Sequence, residues 1–363
     1  MDNRRIAASV VISLTLLSGI VALTMNQGET VKTSKNSGEN FSVTDSGVRY
    51  TVHPDRLISG CRGMDCIPSI DNPEFRSASE VEWLAGSDLV IGIERNGTAK
   101  AYPLRILNLH EIVNDEIAGE PVAVTYCPLC RSGLAYSRQV GNRTLEFGVS
   151  GKLYNANLVM YDRQTETYWS QIKGEAIVGP LVPEKLDLVS SQITEWEGWR
   201  KENPGSLVLS RNTGIYPASS YGSSPYTGYQ SSESVGFGVD EVDDRLPSKE
   251  LVYGIAIGGE AKAYTEEKIR REDLIQDTVG GIPVVLVEDQ ASGGIKAFMR
   301  RKGNRTLNLT LKNGRIVDQE GELWRFSGEK SSGNEKLPEI GTHGIYWFAW
   351  SKFHPETSVY GVK

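Results

Sequence analysis

VIGIERNGTAKAY (residues 90–102) and VYGIAIGGEAKAY (252–264) stand 162 positions apart and carry the same pattern of Gly, Ala, Lys and Tyr. At the same offset DEIAGEPVAV (115–124) lies on DTVGGIPVVL (277–286), and AYSRQVGNRTL (135–145) lies on AFMRRKGNRTL (297–307). Residues 90–147 align without a gap over 58 positions with 19 identities. Farther along, the register slips. Asp162 and Trp169 then correspond to Asp318 and Trp324, and WRKENP (199–204) corresponds to WSKFHP (350–355). Self-similarity of this length is the mark of an internal repeat. The sequence therefore reads as two copies of one unit, about 75–210 and 240–363, within a first segment at 49–235 and a second, degenerate one at 236–363.

Each copy reads as mainly β. VIGIER and KAYPL flank Asn96-Gly97, a strong hairpin signal. The apolar spacing from Leu104 to Val113 predicts a short helix. PVAVTY, GLAYSR, TLEFGVS, NLVMYD and TYWSQ predict short strands. ITEWEGWRKENP (193–204) predicts a second helix with Thr194 as cap candidate and Pro204 beyond its end. The expected fold is α+β and β-rich, with two pseudo-symmetric repeats of mainly antiparallel strands and short helices. A Ser/Gly/Tyr-rich segment at 218–234 lies between the copies, and its three tyrosines (221, 226 and 229) suggest a loop packed over the surface.

The chain has 363 residues, 39 Lys+Arg against 46 Asp+Glu, and 39% hydrophobic residues. That composition builds a core and excludes wholesale disorder. A net charge of −7 without a basic run argues against nucleic-acid partners. Arg4 and Arg5 precede an uncharged stretch, Ile6 to Gly28, whose apolar part matches the roughly 20 residues of a membrane span. Residues 1–28 read as a single N-terminal anchor with an extracellular body. A cleaved signal peptide, giving a secreted protein, is the alternative. Membrane contact is expected through this segment only. Residues 29–48 are polar and aperiodic and read as a flexible stalk. Asn40, Asn96, Asn142, Asn304 and Asn308 begin Asn-x-Ser/Thr triplets, which are glycan acceptors in a glycosylating host. Oligomeric state is not legible.

Positions shared by the two copies read as structural, and positions kept in only one read as chemical. His110, Tyr126, Cys127, Pro128 and Cys130 correspond to Glu272, Glu288, Asp289, Gln290 and Ser292. Cys127 and Cys130 lie in TYCPLCRSG, a Cys-x-x-Cys turn between two strands. Two thiolates so spaced converge on one metal ion or form a redox dithiol, and a structural disulfide is the bland alternative. His110 is either a core histidine or, in the functional reading, a third metal ligand or a proton carrier, with Glu111 or Asp115 orienting its other ring nitrogen. Lys152, Tyr154 and Asn155 fall where the second copy is shortened and are candidates for lining a site. Cys61 and Cys66 form either a local disulfide or, with Cys127 and Cys130, a four-thiolate site. P-loop, zincin, α/β-hydrolase and c-type haem motifs are absent from the sequence.

The strings IPSIDNPEF (67–75), KAYPLRILNLHEIVND (100–115), VTYCPLCRSGLAY (124–136), FGVSGKLYNANLVMYDRQTETYWSQIKGEAIVGPL (147–181) and DDRLPSKELVYGI (243–255) resemble domain-of-unknown-function family 3179. The resemblance covers about residues 50–363. It implies an exported protein with an N-terminal signal or anchor and brings no activity with it. It further implies that Cys61 and Cys66 are an addition, favouring a local disulfide, and that His110, Cys127 and Cys130 are the shared candidate site.

Three readings follow. The first is a membrane-anchored extracellular protein with a zinc or copper site of Cys127, Cys130 and His110. The second is an extracytoplasmic thiol-disulfide oxidoreductase in which Cys127 attacks and Cys130 resolves. The third is a non-catalytic binding module with structural cysteines. Whether the protein is an enzyme is left open by the sequence.

Overall fold

The computed structural model describes residues 32–36, 39–239, 241–290 and 292–362. The expected anchor at 1–28 lies outside them. Among the described residues no helix is long and apolar enough to cross a membrane. The chain is β-rich, with antiparallel sheets and a few short helices.

The Asn96-Gly97 hairpin forms as its chemistry dictates. Both residues adopt positive φ (49° and 76°), the geometry that matches the twist of the strands it joins. It connects β1 (Leu89–Arg95) to β2 (Thr98–Pro103). Helix α1 (Leu104–His110) follows at once and buries Ile106 and Leu107. The C-cap residue beyond it, Glu111, turns out of the helix at φ 56°. That turn redirects the chain into an antiparallel meander of β3 (Ile112–Ile117), β4 (Glu120–Cys127) and β5 (Ser132–Ser137). A larger sheet carries β6 (Phe147–Tyr154), β7 (Asn157–Asp162) and β8 (Tyr168–Ser170).

The same order of elements recurs in the second half. Strands Leu251–Ile257 and Glu260–Thr265, the helix Glu266–Glu272 and the strand Leu274–Val279 occupy the bounds of β1, β2, α1 and β3 plus 162. Contacts recur as well. Lys100 Nζ pairs with Asp115 at 2.8 Å, and the Tyr102 hydroxyl donates to the same carboxylate at 2.6 Å. Lys262 and Tyr264 do the same with Asp277. Trp169 Nε1 donates to Asp162, and Trp324 Nε1 to Asp318. Taking one partner from such a buried pair strands the other charge, so both members persist together.

Two expectations change. Thr194 does not cap the second helix, α2 (Trp196–Glu202), because the preceding strand Gln192–Glu195 runs up to it and Glu195 is the cap residue. Thr194 instead donates to the Ser292 carbonyl across the two halves. The expected stalk also carries strands, Lys32–Asn36 paired with Glu39–Val43, which continue the larger sheet through Arg49–Tyr50. Backbone pairing at a sheet edge holds residues whose polar side chains signal a linker.

One apolar cluster spans both halves. It joins Cys127, Cys130, Met160 and Trp169 to Val252, Tyr346, Trp347 and Phe348. The helix Trp347–Phe353 therefore seats the second half against the Cys-x-x-Cys turn, and the Tyr346 N–H donates to the Cys130 carbonyl at 3.0 Å. Tight packing also explains two glycines. A Cβ at Gly92 would overlap the Trp199 ring, and one at Gly254 the Trp350 ring. Gly254→Ala is expected to lower unfolding free energy by about 1–3 kcal/mol, the cost of overpacking, with urea denaturation as the readout. An unchanged midpoint would show that the ring moves aside freely.

Candidate functional site

Cys127 is the last residue of β4 and pairs directly with Ser132, the first of β5. The turn Pro128–Arg131 closes between them and leaves both sulfurs at the base of a hairpin. Both cysteines are buried, at 1% and 0% exposure. Neither is disulfide-bonded.

The surroundings treat the two sulfurs differently. Asn157 Nδ2 donates to Cys130 Sγ at 3.2 Å, and Ser132 Oγ lies at the same distance. Burial pushes the Cys130 thiol up, but hydrogen bonds from Cys127, Ser132 and Asn157 outweigh it and hold its pKa below the ordinary thiol value. Cys127 is driven the other way. Burial, its hydrogen bond with Cys130 and the charge there keep it protonated well above the ordinary thiol range. Its remaining polar neighbour is the Ala156 carbonyl at 3.7 Å. The surroundings thus favour the charged form at Cys130 over that at Cys127.

Behind Cys130 lies a closed polar network. Asn157 gives its two N–H groups to Cys130 Sγ and Gln171 Oε1. Gln171 gives its two to Thr125 Oγ1 and the Ser132 carbonyl. Thr125 donates onward to the Leu134 carbonyl. The Ile172 N–H to Asn157 Oδ1 bond fixes the amide orientation. The Ser132 proton has a choice, Gln171 Oε1 at 2.8 Å or Cys130 Sγ at 3.2 Å. When Cys130 is a thiol it donates to Ser132, which donates to Gln171. When Cys130 is a thiolate, Ser132 turns to it and Gln171 keeps the Asn157 donor. Both protonation states are therefore fully satisfied, which a buried network requires.

Glu111 faces the pair. Burial, then the charge on Cys130, raises its carboxyl pKa to about 8, and a hydrogen bond from Tyr226 offsets part of the rise. Tyr226 and Tyr229 come from the Tyr-rich segment, which covers the site. The Tyr229 hydroxyl is buried with no hydrogen-bond partner among the described residues, and charge on the two cysteines raises its pKa, after burial. Lys249 Nζ clamps this cover through the carbonyls of Tyr229 and Ser232 and sits 3.5 Å above the Tyr229 ring.

The expected ligand set does not assemble. His110 Nδ1 must donate to the Pro68 carbonyl at 2.7 Å, because a carbonyl only accepts. Nε2 then accepts from the Tyr221 hydroxyl at 2.7 Å, and its lone pair is occupied. Burial lowers its pKa, consistent with a neutral ring. His110 pins IPSID and the Tyr-rich segment together and does not join Cys127 and Cys130. Its partners are Pro68 and Tyr221, not Glu111 or Asp115. Among the described residues no group of three or more His, Cys, Asp and Glu is disposed to hold a metal ion.

The other candidates divide. Cys61 and Cys66 are bonded to each other, with Cα atoms 6.2 Å apart, so they make no four-thiolate site. Of the candidate lining residues, Tyr154 packs edge-on against Phe353 and Lys152 pairs with Ser59. Asn155 makes the turn, at φ 51°, that brings Ala156 and Asn157 to the sulfurs. The contacts come from the residues just beyond the predicted ones. Ser132 and Tyr346 carried no sequence signal. Glu111 enters the sequence reading only as a carboxylate for His110, because Asp273 keeps an acid at the matching position.

With this geometry in view, the family comparison is direct. The model of the family described as "Protein of unknown function (DUF3179)" matches residues 64–357, and the chain belongs to that family. No curated protein and no solved structure matches it.

Two outcomes follow from the electrostatics. Asn157→Ala removes a donor to a charged sulfur, worth about 1.5–3 kcal/mol, so the Cys130 thiolate titration should move upward by about one to two pH units, read by thiolate absorbance. An unmoved titration would contradict the assignment. Glu111 has a folded pKa raised above its ordinary 4.5 to about 8, so the fold holds its proton more tightly than the unfolded chain. The associated stability is full below the unfolded value and is lost as pH rises through the folded one. Glu111→Gln should flatten the fall in Tm across that window; an equally steep fall in the variant would contradict it.

Proposed function

We propose that this family member is an extracytoplasmic thiol-disulfide oxidoreductase whose reactive pair is Cys127 and Cys130. The observation that carries the reading is the asymmetry of the two sulfurs. Cys130 Sγ has directed donors from Asn157 and Ser132 that lower its pKa, whereas Cys127 Sγ faces the Ala156 carbonyl and burial raises its pKa. A structural cysteine pair gains nothing from such an arrangement, whereas disulfide exchange needs an attacking thiolate and a protonated partner.

The assignment reverses the roles suggested by chain order. Cys130 attacks one sulfur of a substrate disulfide, forming a mixed disulfide and releasing the other sulfur as a thiolate. With its negative neighbour consumed, Cys127 gives its proton to the substrate thiolate released in the first step and attacks Cys130 Sγ. The second substrate thiolate leaves, and Cys127 and Cys130 are left as a disulfide. Two electrons pass to the substrate, and an external dithiol restores the pair. Because the sulfurs are buried, the Tyr-rich cover held by Lys249 must lift for a substrate to enter. Export by the N-terminal segment would put this chemistry outside the cytoplasm.

The second half has Asp289 and Ser292 where the first has the cysteines. We read the recurring bounds and contacts as a duplicated unit in which only one copy kept the chemistry and the other became its support.

Cys127→Ser should trap a mixed disulfide with a small aromatic disulfide, detected by intact-mass measurement, and Cys130→Ser should not. Wild-type turnover with a dithiol reductant should survive chelation. A Cys130→Ser variant that still turns over, or activity that disappears with chelator and returns with zinc or copper, would overturn the reading.

A further inference from the structure

A cavity of about 550 Å³ lies between the two halves, beside the Cys-x-x-Cys turn but not lined by its sulfurs. Arg131, the residue after Cys130, forms part of its wall. Arg131 stands in the left-handed region at φ 55°. The matching position in the second half is Gly293, at φ 69°. Glycine takes this conformation without steric cost, and arginine does not. The first half therefore accepts backbone strain where the second avoids it.

The strained side chain is also without a partner. Arg131 is half-buried, and among the described residues it has no ion pair and no hydrogen bond. Its charge is felt by the hydroxyls of Tyr126, Tyr253 and Tyr346. The other arginine of the wall, Arg270, is fully engaged by Glu266 and Glu288. Glu195 and Glu197 also line the cavity and have no cationic partner among the described residues. Leu89, Ile193, Leu251 and Tyr253 supply an apolar surface between these charges.

One half-buried guanidinium and two exposed carboxylates along one open cleft select against a simple anion, which would have to sit among the acids. They also select against a simple cation, which would face Arg131. They suit a molecule carrying both charges. We propose that the cavity binds a small zwitterion, a free amino acid or short peptide. Its carboxylate takes the paired N–H groups of Arg131, its ammonium faces Glu195 and Glu197, and an apolar side chain lies on Leu251 and Tyr253. The inference stands apart from the thiol chemistry and needs no movement of the Tyr-rich cover.

The test is isothermal titration calorimetry of the full chain against the free L-amino acids and their glycyl dipeptides, with carboxyl-amidated forms as controls. At least one zwitterionic apolar member should bind saturably, and its amide should not. Arg131→Gly should weaken binding by roughly tenfold or more, the loss of a charge-assisted pair, while leaving Tm unchanged or higher because glycine suits this backbone. Arg131→Lys should retain part of the affinity. The proposal fails if no member of the panel binds the wild-type chain, if amides bind as well as free acids, or if folded Arg131→Gly binds as tightly as wild type.

Discussion

A sulfur anion removed from water persists only where donors replace the solvent, and the arrangement around Cys130 is built to supply them. Asn157 is fixed by the Ile172 N–H, spends one of its own hydrogens on Cys130, and spends the other on Gln171. Gln171 in turn is tied to Thr125 and Ser132, so the amide that stabilises the sulfur cannot rotate away. These residues come from β4, β5, β7 and the end of β8. The network therefore cross-links the Cys-x-x-Cys hairpin to the neighbouring sheet and gives that hairpin one position. Folding and chemistry here depend on the same few hydrogen bonds.

The rest of the molecule closes this site. Helix Trp347–Phe353 fills the apolar space beside the cysteines, and the Tyr346 N–H satisfies the Cys130 carbonyl. The Tyr-rich segment covers the other side. Tyr221 is fixed by His110, Tyr226 by Glu111, and the backbone near Tyr229 by Lys249. Exclusion of water is what separates the two thiols in pKa, since in bulk solvent neither donors nor neighbouring charge would shift them far. Burial thus sets the reactivity, and the same burial makes access depend on the cover.

Much of the architecture is legible in residues that local rules govern. Asn96-Gly97 announces its turn, and the spacing of Leu104, Ile106 and Leu107 announces α1. The internal match pairs off, copy against copy, the residues that make the recurring Lys-Tyr-Asp and Asp-Trp contacts. What stays hidden is set by contacts far apart in the chain. Thr194 looks like a helix cap because its sequence neighbours are helical, yet its partner is Ser292 in the other half. His110 looks like a ligand because it is absent from the second copy. In the fold its two ring nitrogens are taken by the Pro68 carbonyl and the Tyr221 hydroxyl. Comparing copies finds Cys127 and Cys130, whose counterparts differ. It passes over Glu111, whose counterpart Asp273 keeps both the acid and the positive-φ backbone turn for a structural reason. Asn157 and Gln171 are visible as polar residues on strands, but only their placement behind Cys130 gives them a role.

The most direct test is a redox titration of the full chain in graded mixtures of reduced and oxidised dithiothreitol, with alkylation and mass mapping of all four cysteines. The account predicts a single two-electron transition confined to Cys127 and Cys130, at a potential separate from that of Cys61 and Cys66, with the fold retained in both states. Cys127 and Cys130 remaining reduced across the whole series, or oxidising only as the protein unfolds, would contradict it.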